Sequence, residues 1–144
     1  MKLMFHFDSH LKDVWSGRTI DFDMWMVFRD IWAANQIAVI NTSGVEMNTA
    51  GRDGIVIYEN IWQFYGDFMQ DTMITLEHPK HSPSEYLSDH TFDDNAWYCI
   101  GPSEGWGGSY LPGSATLGIE QDGNAELHSP FVSAVLSYTR YMRG

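Results

Sequence analysis

Five short apolar runs alternate along this chain with stretches whose apolar residues recur at helical spacing. Leu3-Met4-Phe5-His6-Phe7 opens the series, and Ile37-Ala38-Val39-Ile40 follows, closed by the turn Asn41-Thr42-Ser43-Gly44. The other three are Met73-Ile74-Thr75-Leu76, Ala96-Trp97-Tyr98-Cys99-Ile100 and Ala115-Thr116-Leu117-Gly118-Ile119. Between them, residues 19–36 carry Ile20, Met24, Val27, Phe28 and Ile31 on one helical face, with Asp21 and Asp23 near the positive helix start. Residues 55–69 are ambiguous. The β-branched start Ile55-Val56-Ile57-Tyr58 suits a strand, while the spacing of Ile57, Ile61, Phe64 and Phe68 favours a helix, the reading adopted. A last helix is predicted over 130–142. Such alternation predicts one α/β domain over residues 1–144, a mostly parallel sheet with helices on both faces. Ligands of such sheets bind beyond the carboxyl ends of the strands, which directs attention to the residues after Leu76, Ile100 and Ile119.

Charge limits what those strand ends can bind. Eight Lys and Arg stand against 19 Asp and Glu, a net charge of −11. Phosphate backbones need several basic residues on one face, whereas these are scattered from Lys2 to Arg143, so tight RNA binding by the lone chain is disfavoured. The single cysteine, Cys99, excludes an internal disulfide and a Cys-based zinc site and suits a reducing compartment. No apolar run approaches the roughly 20 residues that cross a bilayer. The first residues lack a signal peptide's apolar core and cleavage site. A cytoplasmic protein with no membrane partner is expected.

Three segments carry candidate chemistry. Ile100-Gly101-Pro102-Ser103-Glu104-Gly105-Trp106-Gly107-Gly108 runs from a strand into four glycines around one carboxylate. It is either a loop whose backbone approaches a ligand closely or a plain connection with a solvated Glu104. It is not a nucleotide P-loop, because no Gly-Lys-Ser/Thr follows. His78-Pro79-Lys80-His81 offers two imidazoles, but a metal would need a further ligand, and a solvated loop with no metal is the expectation. Arg29 sits among Met26, Val27, Phe28, Ile31 and Trp32. It either lays its stem on them with its head in water or points a permanent charge at the strand ends.

In order, these segments resemble the SpoU (TrmH-type) branch of the SPOUT methyltransferases. That family has a helix reading Asn-x-x-Ala-x-x-Arg, a strand running into Gly-x-Glu-x-x-Gly, and a strand, a Pro-Met-x-Gly loop and Ser-Leu-Asn-Val-Ser-x-Ala opening the last helix. Here Asp23 to Arg29 stands at the first motif. Gly101-Pro102-Ser103-Glu104-Gly105-Trp106-Gly107 resembles the second, with one extra residue between glycine and glutamate. Ile119-Glu120-Gln121-Asp122-Gly123 and then Leu127-His128-Ser129-Pro130-Phe131-Val132-Ser133-Ala134 resemble the third. Leu76-Glu77-His78 resembles the family's strand end before the second motif, and the likeness spans nearly the whole chain.

The resemblance implies a C-terminal trefoil knot, a homodimer, and S-adenosylmethionine as methyl donor for the ribose 2′-hydroxyl of a transfer or ribosomal RNA. No appended RNA-binding domain is expected. Carried over, Leu76, Glu77, His78, Ile100, Gly101 and Pro102 line the donor pocket. Gly105, Gly107, Ile119, Gln121, Leu127 and Ser129 complete it, and Arg29, Glu104 and His128 are the catalytic candidates. Departures stand beside the matches. Asp23 and Met26 replace the first motif's Asn and Ala, Glu120-Gln121 replaces Pro-Met, and His128 or Ser129 falls where the third motif has Asn. With the acidic charge, the altered third motif keeps an alternative open: a non-catalytic knot domain that binds the donor or a protein partner.

Overall fold

The computed structural model describes residues 2–6, 38–41, 54–58, 61–101, 111–125, 127 and 129–143. The strands are β1 (Lys2–His6), β2 (Ala38–Asn41), β3 (Gly54–Tyr58), β4 (Met73–Leu76), β5 (Glu85–Tyr86), β6 (Trp97–Ile100) and β7 (Ala115–Gly118). The helices are α1 (Ile61–Phe68) and α2 (Ser129–Arg143), with 3-10 turns at Pro79–His81 and Leu87–Asp89. One sheet runs β2-β3-β1-β6-β4-β7-β5, with every pairing parallel.

β4 and β6 are buried at every residue, as strands covered on both faces must be. Alternate side chains sort the core into two layers. Leu3, Ile74, Leu76, Tyr98, Ile100 and Leu117 face one way and meet Val132 and Leu136 of α2. Met4, Met73, Trp97 and Cys99 face the other and meet Phe64 of α1 together with Leu111. There the Trp97 ring stands edge-on to Phe64 at 5.5 Å and tilted against Phe68 at 4.7 Å. The expected α/β architecture, with a parallel sheet and a helix on each face, is therefore present among the described residues.

Residues 55–69 require correction. The β-branched start belongs to β3, paired on both edges by β1 and β2, and the helix begins only at Ile61. Two flanking strands satisfy the backbone of 54–58, which outweighs the helical spacing of Ile57 with Ile61. The remaining predicted strands and the last helix appear within a residue or two of their expected bounds. The helix predicted over 19–36 lies outside the described residues. Among the described residues, no helix is long and apolar enough to cross a membrane.

The strand order positions the site. From β1 the sheet grows one way through β3 and β2, and the other way through β6, β4 and β7. β6 lies between β1 and β4, so β6 and β7, next to each other in the chain, flank β4 on opposite sides. The order reverses at the β1–β6 boundary, the kind of switch point where open parallel sheets bind ligands.

Candidate functional site at the strand ends

Because β6, β4 and β7 are adjacent and parallel, their carboxyl ends share one edge of the sheet. The ladder continues past β4, with Glu77 N donating to Leu117 O at 2.9 Å. Leu76 and Ile100 are buried there, and half-buried Ile119 and Leu127 pack onto the same cluster. Gly101 is buried at the end of β6. Four apolar residues of the motif segments thus share one core cluster.

The polar members are held by the protein itself. Glu77 is 4% exposed, and its Oε1 accepts from the backbone N–H of His78 at 2.8 Å. His78, 5% exposed, caps the 3-10 turn by accepting from Lys80 N at its Nδ1, 3.1 Å. A ring nitrogen that accepts has no proton, so the proton is on Nε2, which donates to Ala125 O at 2.9 Å. Gln121 Nε2 donates to the same oxygen at 3.0 Å. Ser129 opens α2. Arg29, Pro102, Glu104, Gly105, Gly107 and His128 lie outside the described residues.

Buried Leu76 and half-buried Ile119 and Leu127 belong to one apolar cluster, and the buried Glu77 follows Leu76 in the chain. Among the described residues, no group of three His, Cys, Asp or Glu could hold a metal ion. Cys99 is no candidate nucleophile either, because burial pushes its thiol up and keeps it protonated.

Sequence reasoning missed a second polar cluster, on the α2 face. Glu85 Oε2 lies 3.2 Å from His90 Nδ1, and His90 Nε2 lies 2.7 Å from the Tyr98 hydroxyl. A carboxylate only accepts, so Nδ1 donates to it, and Nε2 and the phenol share the second bond. Tyr98 is fully buried, its oxygen also accepts from Asp93 N at 3.0 Å, and burial pushes its pKa up to about 12. The hydroxyl is enclosed in the core, and its two bonds tie β6 to residues 90 and 93. Arg140 forms a two-pronged pair with Asp94 at 2.9 and 2.8 Å. Arg143 donates to the carbonyls of His90 and Ser88 at 2.6 and 3.3 Å, binding the 88–94 segment to the end of α2. No residue spacing announces this cluster, because its loop members bond to β6 and to Arg140 and Arg143 of α2 only in the folded chain.

No family model matches the chain, and no curated protein and no solved structure matches it either.

Proposed function

We propose that the chain binds S-adenosylmethionine at the carboxyl ends of β4, β6 and β7 and transfers its methyl group to an RNA ribose 2′-hydroxyl. The observation that carries this reading is the adjacency of those ends, since β4, β6 and β7 bear or precede the segments that resemble SpoU motifs. The reading includes the trefoil knot and the homodimer of that family. When bound, S-adenosylmethionine supplies an electrophilic methyl group. Leu76, Ile119 and Leu127 give its apolar parts a wall, and backbone groups around Glu77, Gly101 and Gln121 take its polar parts. Arg29 favours the alkoxide form of the acceptor hydroxyl, and Glu104 or His128 accepts the proton released.

A second reading, donor binding without transfer, draws on the basic residues. Of the four described ones, Lys2 pairs with Asp71, Arg140 with Asp94, and Arg143 with two carbonyls, which leaves Lys80 to meet a phosphate. Calorimetric titration with S-adenosylmethionine and S-adenosylhomocysteine tests what the two readings share. Micromolar binding is expected, and no binding at millimolar ligand would sink both. Labelled-methyl transfer to total RNA then separates them. Arg29→Ala should abolish transfer while changing donor affinity less than about threefold; lost binding would make Arg29 a donor contact instead.

A further inference from the structure

We infer that His78 is a positioning residue of the donor pocket rather than a ligand contact: its ring clasps the 121–125 segment to the end of β4. The inference rests on the donor-pocket reading above. Both ring nitrogens are spent inside the protein, Nδ1 on Lys80 N and Nε2 on Ala125 O, 47 residues further along the chain. The Ala125 carbonyl is spent as well. It receives His78 from β4 and Gln121 from its own segment, one donor for each lone pair.

Burial explains why that segment needs a clasp. Asp122, Gly123, Asn124 and Ala125 are all exposed, so no buried side chain among them anchors the loop. Apolar anchors occur only on either side, at half-buried Ile119 and Leu127. His78, by contrast, is fixed by burial and by the 3-10 turn that it caps. A rigid side chain at the end of one strand thus sets the path of the loop after another, and with it the positions of Gln121 and Leu127. Without the clasp the segment samples other paths, and the apparent affinity of any ligand it lines falls by the fraction of time the path is right.

The test pairs hydrogen exchange of the ligand-free chain with calorimetric titration by S-adenosylhomocysteine. His78→Ala should speed amide exchange across 121–127 about tenfold and weaken binding roughly five- to twentyfold, the scale of one net hydrogen bond plus lost order. His78→Gln, which keeps an N–H near the position of Nε2, should recover most of both. Gln121→Ala, at a half-exposed site that leaves the core untouched, should move both in the same direction by less. Weakened binding with unchanged exchange would mean that His78 touches the ligand, and would overturn the inference. Faster exchange with unchanged affinity would overturn it equally, leaving a clasp with no part in the pocket. Failure of the wild-type chain to bind would sink the donor reading itself, whereas unchanged exchange in His78→Ala sinks the clasp whatever the ligand.

Discussion

At the scale of single residues, the described polar groups are mostly committed within the fold. Tyr98 is the clearest case, a fully buried phenol bonded to His90 and to the Asp93 amide. Tyr98→Phe leaves both partners unsatisfied and should cost about 1–3 kcal/mol at neutral pH, read as a lower denaturant midpoint. The pH dependence has a definite sign. Folding raises this phenol from 10.0 to about 12, so its contribution is complete below pH 10 and is lost as pH rises through that window. The stability gap between wild type and Tyr98→Phe should therefore shrink between those values; a constant gap would show the phenol to be solvated. The His78 ring behaves comparably. The resemblance assigns His78 to the donor pocket, and in the structure its ring serves two backbone groups. Those two bonds were illegible because a backbone carbonyl such as that of Ala125 has no sequence signature.

Among the elements, legibility follows burial. β4 and β6 could be read directly because strands buried on both faces are short unbroken apolar runs. β3 could not, since its Ile57 falls by coincidence in helical step with Ile61, Phe64 and Phe68 of α1. β5 was also invisible. It is two residues long, and side chains beside it hold it, Ser84 exchanging hydrogen bonds with Thr116 at 2.7–3.1 Å. Gly118 permits that edge to close. A Cβ there would meet Pro83 Cγ at 2.5 Å and Tyr86 Cε1 at 3.3 Å, and a proline ring has little freedom to retreat. Gly118→Ala should destabilise by about 1–3 kcal/mol, with exchange rising first at 83–86; a neutral effect would mean that the edge strand yields freely.

For the whole molecule, the strand ends in question were legible because any parallel sheet gathers its carboxyl ends on one side. Which ends become neighbours was not, since strand order depends on crossovers that no local pattern encodes. Among the described residues, α2 carries an exposed apolar surface. Phe131, Tyr138, Tyr141 and Met142 on α2 are 49%, 67%, 80% and 62% exposed, and Phe131, Tyr138 and Met142 recur on one helical face. Under the proposed reading a second copy covers them. Light scattering should then give twice the chain mass, with Tyr138→Glu shifting the protein toward monomer; a monomeric wild type at 100 μM would exclude that dimer. The place of β6 between β1 and β4 also has a consequence for biosynthesis. A ribosome delivers β1 and β4 before β6, the strand that pairs with both, so the order of synthesis conflicts with the order of the sheet. Until residues 97–100 emerge, β1 offers a bare edge to any passing strand, and the newborn chain depends on chaperones or on speed to keep that slot open.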